Sequence, residues 1–155
     1  MQLDQIFKVE FINANLVARN KDDALAELVN TIIRGGLKLN YSSIIEILKQ
    51  REKLGSTGIG DGVAIPHGKV AELDDIVVAF GRSIDGISYD SLDGKPVYLL
   101  FLLLAPENSA GQHLKILAKI SKMLKDVNFR KKLLKANSQS DLYKIIIDQE
   151  EVCTT

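Results

Sequence analysis

The 155-residue chain has one cysteine, Cys153, and two histidines, His67 and His113. A single thiol forms no disulfide within the chain, which fits a reducing cytoplasm. Two histidines far apart in sequence and a terminal cysteine do not supply the closely spaced ligands of a zinc site, so no metal is expected. Charge of one sign is lacking as well: twenty basic residues balance twenty acidic ones. That balance argues against broad attraction to nucleic acid or anionic lipid. The one basic run, Arg130-Lys131-Lys132, reads as a solvated helix face. Long apolar runs are missing. The longest, VYLLFLLLA at Val97–Ala105, is far short of the about 20 residues that a bilayer helix needs, so no insertion into a membrane is expected. The first residues, MQLDQIFKVE, are charged and mixed, unlike a secretory leader. No repeat or low-complexity linker interrupts the chain. The expectation is one cytoplasmic domain over residues 1–155, with a core over about 3–150.

What is present alternates between helical and extended patterns. Leu25, Leu28, Val29, Ile32 and Ile33 predict an amphipathic helix over Asp22–Arg34, stopped by Gly35-Gly36. Ser43 with Glu46 resembles a capping box for a second helix, which runs to about Leu54 before Gly55 ends it. Val63-Ala64-Ile65 and Asp75–Arg82 read as strands. Residues 83–96 carry turn signals at Asp85-Gly86 and Asp93-Gly94, so a loop, or a hairpin with a short edge strand, is expected. Val97–Ala105 reads as a central strand buried on both faces and stopped by Pro106. A helix follows over Ser109–Lys125, with Leu114, Leu117, Ile120 and Leu124 on its inner face. Shorter helices are expected over Asn128–Ala136 and Asp141–Gln149, the last capped by Ser140. Helices on either side of a central apolar strand imply a layered α/β sandwich with a small mixed sheet. Ligands of such folds sit beyond the carboxyl ends of strands, beside helix N-termini. His113 falls there.

The segment REKLGSTGIGDGVAIPHGK, Arg51–Lys69, holds five glycines and one of the two histidines. GIGDGV is not the dinucleotide fingerprint and follows a helix rather than a strand; Gly68-Lys69 lacks the Ser or Thr of a P-loop. LGSTG lacks the first glycine of a nucleophile elbow. What remains is a histidine on a pliable loop, aimed by Pro66. A neutral imidazole is a competent nucleophile near neutral pH. Phosphoryl transfer asks mainly for in-line positioning and for donors around the transferred oxygens. The glycine-loop amides, Gly58 among them, and the Ser56 and Thr57 hydroxyls are candidate donors. Against this stands a structural turn histidine for His67 and a satisfied helix histidine for His113. Arg51 is either a helix-end cation on carbonyls or a guanidinium that reaches phosphoryl oxygens.

STGIGDGVAIPHGK, preceded by REKLG, resembles the active-site segment of the type-two IIA domains of the bacterial phosphoenolpyruvate:sugar phosphotransferase system. HLKILAKISKML at His113–Leu124 resembles the family's second-histidine helix, and Ala105-Pro106-Glu107 after an apolar strand also fits. The resemblance covers nearly the whole chain. It implies a phosphocarrier in which His67 accepts a phosphoryl group on Nε2 from the phosphohistidine of HPr or a paralogue. His67 then passes the group to a IIB domain or signals to a regulatory target through its own phosphorylation state. His113 and Arg51 fall on the residues that orient or stabilise the phosphoryl group. No organic cofactor or metal is implied. The implied fold is a five-stranded mixed sheet with helices on both faces. For docking, an apolar rim of Ile59, Val63 and Ile65 is expected around His67.

The family includes fructose, mannitol and nitrogen-regulatory types. REKLGSTGIG and DLYKIII look closer to the nitrogen-regulatory type; a separate sugar-specific subunit, docking on a membrane permease, would look the same. Asp61 stands where many members have asparagine, and a position facing solvent in the turn is expected for it. Outside this chemistry, a binding module that uses His67 only for recognition stays open. A histidine phosphatase would carry Arg-His-Gly, which Pro66-His67-Gly68 lacks.

Overall fold

The structure, a computed structural model, describes residues 1–154, the side chains of Ala110 and Thr154 excepted. After a single 3-10 turn at Leu3–Gln5 the order is β1 (Phe7–Asn13), α1 (Lys21–Arg34), α2 (Tyr41–Lys53), β2 (Gly58–Gly60), β3 (Val63–Ala64), β4 (His67–Lys69), β5 (Val77–Ile87), β6 (Val97–Ala105), α3 (Ala110–Leu124), α4 (Val127–Lys135) and α5 (Gln139–Thr154).

The apolar run of β6 is the axis of the sheet, whose order is β1-β5-β6-β3-β2. β3 and β4 both lie parallel to β6, on Leu99–Leu100 and on Leu103–Ala105. They form one interrupted line, broken at Ile65-Pro66, where proline offers no N–H to the ladder. The sheet is therefore five positions wide. It is mixed, because β1 and β5 pair in parallel whereas β5 with β6, and β2 with β3, run antiparallel.

Successive β6 side chains point to opposite faces. Leu99, Phe101, Leu103 and Ala105 pack with Ile116, Ile120, Phe129 and Leu142 beneath α3–α5. Leu100, Leu102 and Leu104 pack with Leu25, Leu28, Ile44 and Leu48 beneath α1 and α2. The layered α/β sandwich is thus as expected, and β6 is buried on both faces.

Several local expectations change. Phe7–Asn13 is a strand that the mixed look of the N-terminus hid. Lys8 and Glu10 are exposed on this edge strand, whereas Phe7 and Phe11 are buried in the cores on opposite sides of the sheet. Asn40, not Ser43, caps α2: its Oδ1 accepts the Ser43 N–H at 3.1 Å. Ser138, not Ser140, serves the start of α5, accepting the Asp141 N–H on its hydroxyl. Residues 83–96 form a hairpin, one of the two forms expected, but its first arm continues β5 past Arg82 to Ile87, against Val97. Leu114 faces solvent, at 67% exposure, rather than the core.

Candidate functional site

The site begins with a glycine that allows a helix to touch a strand. A Cβ on Gly68 would lie 2.7 Å from Ile47 Cγ2, so only a residue without one lets α2 settle on β4. This contact sets the last turn of α2, with Arg51, over the first residue of β4, His67. On the far side, α3 leaves the end of β6 and presents His113 in its first turns. The two imidazoles meet edge to face, with centroids 5.5 Å apart. The structure therefore brings together Arg51, His67 and His113, which the chain keeps far apart. His67 sits in a strand paired with Leu103, not in the pliable loop expected for it.

The hydrogen bonds of His67 fix its tautomer. Nδ1 lies 2.8 Å from the Ile65 carbonyl oxygen, which can only accept, so Nδ1 carries the proton. The lone pair is then on Nε2, which accepts from Arg51 Nε at 3.3 Å. Pro66 bridges the ring and the carbonyl it binds, and its rigid φ holds that two-residue span. The His67 imidazole is held below its ordinary value, chiefly by burial and further by the Arg51 cation. The Ile65 bond and the Glu52 carboxylate pull the other way. His113 is shifted the same way, by burial first, then by His67 and Lys69. Its Nε2 is buried and has no hydrogen-bond partner, although the residue is only 6% exposed. Arg51 takes the helix-end role expected for it, Nη1 donating to Gly55 O at 2.9 Å, and its Nε donates to His67 Nε2.

The predicted donors of the glycine segment are committed elsewhere. The Ser56 hydroxyl donates to Tyr89 O and accepts from the Gly58 N–H. Thr57 gives both its N–H and its hydroxyl to the Glu52 carboxylate. Asp61 lies exposed at φ +57° in the β2–β3 turn, as expected. The expected docking rim also changes. Val63 and Ile65 are core residues, 1% and 4% exposed, so no partner can touch them. Ile59 is exposed but lies outside the cavity around His67. That cavity, of about 580 Å3, is rimmed by Ile47, Leu54, Leu114 and Leu117 and floored by His67 and His113. Gln50, Arg51 and Lys69 add polar groups. Leu54 is 85% exposed. An exposed leucine at a helix end carries no signal in sequence, because single surface apolar residues are ordinary.

The site thus holds an unprotonated imidazole nitrogen, a guanidinium beside it and a second imidazole with an unfilled polar atom, in an open apolar-rimmed depression. Such a group can take an electrophile and can neutralise an anion attached to it. Among the described residues no three His, Cys, Asp or Glu side chains converge as metal ligands, and no helix is long and apolar enough to cross a membrane.

Residues 5–149 match the family described as "Phosphoenolpyruvate-dependent sugar phosphotransferase system, EIIA 2". A nitrogen regulatory protein of Bradyrhizobium diazoefficiens is 40% identical over 146 residues, covering 94% of this chain and 95% of that protein. The fructose-specific EIIABC component of Bacillus subtilis is 36% identical over 146 residues. The match takes 94% of this chain but only 23% of that much longer protein. Among solved structures, the nitrogen regulatory protein IIA-Ntr of Neisseria meningitidis superposes with a TM-score of 0.86 at 35% identity, covering 93% of this chain and 98% of that one.

Proposed function

This chain belongs to the EIIA 2 family of the phosphoenolpyruvate-dependent sugar phosphotransferase system, and we propose that it works as a phosphocarrier with His67 as the phosphoryl acceptor. The observation that carries this reading is the locked tautomer: Nδ1 donates to Ile65 O, which leaves the Nε2 lone pair beside the Arg51 guanidinium. In the transfer, the Arg51 Nε–H leaves the Nε2 lone pair for the incoming phosphoryl oxygens, Nε2 attacks phosphorus in line as the P–N bond to the donor's histidine breaks, and that electron pair returns to the donor imidazole. The His67 Nδ1 proton stays on its bond to Ile65 O, so no base is needed. Arg51 offsets the arriving charge with its guanidinium, and His113, uncharged, helps orient the phosphoryl oxygens through a ring nitrogen.

Phosphoramidate donors and acceptors lie close in energy, so the exchange is reversible and the site must admit two partners in turn. An open depression with an apolar rim suits this. The donor is a phosphohistidine protein of the HPr type. The acceptor is a IIB domain, or the phosphorylated chain acts on a regulatory target. The nitrogen-regulatory type is favoured by a relative of that name that matches along nearly its whole length. The fructose-specific relative keeps a sugar-specific subunit as the second reading.

Incubation with phosphoenolpyruvate, enzyme I and an HPr-type carrier, followed by intact mass, tests the acceptor. One acid-labile phosphoryl group on the native chain, absent from His67→Ala, is the expected result. No gain with either HPr or its paralogue overturns it.

A further inference from the structure

Next to Arg51 on the last turn of α2, Glu52 is a buried carboxylate with four donors around it. It accepts the Thr57 N–H at 3.0 Å, the Thr57 hydroxyl, the Tyr89 hydroxyl at 3.2 Å and Lys21 Nζ at 3.2 Å. Burying a carboxylate is costly unless it is fully paired, so this network is an expensive feature, and beyond its electrostatic effect on His67 it has no part in the chemistry above. Its geometry suggests one. Adjacent helical residues point about 100° apart, so Arg51 and Glu52 diverge from the same turn. Arg51 reaches His67, and Glu52 reaches back to Thr57. The bonds from Thr57 to Glu52 close a ring around residues 53–56, and that ring carries the Gly55 carbonyl to which Arg51 Nη1 donates. Tyr89 and Lys21 hold the same carboxylate from the β5–β6 hairpin loop and from the start of α1.

We propose that Glu52 is a positioning residue of the phosphoryl-transfer site. By clamping the loop that offers Gly55 O, it holds the Arg51 guanidinium on the His67 Nε2 side. This rests on the phosphocarrier reading of His67. Lys21, Thr57 and Tyr89 act through Glu52 and touch neither the imidazole nor the phosphoryl group.

The test is a double-mutant cycle on the rate of phosphoryl uptake from an HPr-type donor. Native chain, Glu52→Gln, Arg51→Ala and the double variant are compared, with Thr57→Val as a second way to open the clamp. Glu52→Gln keeps the size and an acceptor oxygen, so the fold is retained; circular dichroism and amide spectra check this. Misplacing a positioned group slows transfer on the order of tenfold, and that loss is expected for both Glu52→Gln and Thr57→Val, with one phosphoryl group still reached at long times. In the Arg51→Ala background, Glu52→Gln should cost less than about twofold more, because it acts through Arg51. The 15N resonance of His67 Nε2 should also move in Glu52→Gln as the Arg51 bond loosens. Native uptake in both clamp variants, or fully additive losses in the double variant, overturns the proposal. Absence of uptake in the native chain overturns the phosphocarrier reading instead, and the nitrogen resonance still decides whether Glu52 positions Arg51.

Discussion

Gly68 and Ile47 stand so close that a single added methyl group would fall 2.7 Å from Ile47 Cγ2. This contact between β4 and α2 fixes the height of Arg51 above His67, so the reactive pair depends on a residue with no functional group. Gly68→Ala should force α2 outward by a few tenths of an ångström or more and destabilise the fold by about 1–3 kcal/mol. It should also slow phosphoryl uptake, because it carries the Arg51 guanidinium, now 3.3 Å from His67 Nε2, away from the arriving phosphoryl oxygens. Denaturant unfolding and uptake rate, measured on the same variant, check both; a variant as stable and as fast as native contradicts the packing argument.

The two imidazoles should both titrate below the ordinary histidine value of 6.5, mainly because burial disfavours the charged ring. At any given pH more of His67 is then free base than of an ordinary histidine, so uptake should fall with pH later than it would for a ring titrating at 6.5. The sign for stability follows by linkage. Below about 6.5 the unfolded chain binds more protons than the folded one, so stability drops as pH falls through that value, and the loss is complete below the folded midpoints. Side-chain NMR titration and thermal midpoints against pH test this; a midpoint at or above 6.5 for both rings goes against it.

Docking should depend on the leucines that rim the cavity. Leu54→Asp and Leu114→Asp change exposed side chains, so stability should stay within about 0.5 kcal/mol of native. Uptake from an HPr-type donor should fall on the order of tenfold, through weaker association. Ile59→Asp, outside the cavity, should leave uptake unchanged. The reverse pattern, with Ile59 sensitive and both leucines silent, would move the docking face to the β2–β3 turn.

Arg82 is buried and makes no ion pair among the described residues. Its guanidinium donates to Ala14 O and to Leu133 O and Ala136 O at the end of α4, where a cation suits the helix dipole. Arg82→Ala removes these bonds and leaves carbonyls without donors, so unfolding free energy should drop by about 3 kcal/mol. Phosphoryl uptake per folded molecule should be unchanged. A loss below about 0.5 kcal/mol would mean that water replaces the guanidinium.

The sandwich was legible because its strongest signals are local. The apolar run of β6, the amphipathic spacing of α1 and the stop at Gly35-Gly36 each follow from backbone periodicity. β1 was not, because an edge strand alternates charge with apolar residues and shows its meaning only beside β5. The same holds for Leu114. Helical spacing placed it on the inner face, but in the first turns of α3 it stands exposed beside the site, where it lines the cavity over His67 and His113.

The candidate site divides in the same way. The sequence by itself determined that a histidine behind proline in a glycine-rich segment, a second histidine after the central strand and an arginine at a helix end are the groups to watch. Residue type and chain position suffice for that. Only the tertiary structure decided that Arg51 points at Nε2, that Ser56 and Thr57 serve the frame, and that Leu54 and Leu114, rather than Val63 and Ile65, form the rim. Those are distances between segments remote in the chain, set by how α2 and α3 pack on β4 and β6, and no local pattern of residues encodes them.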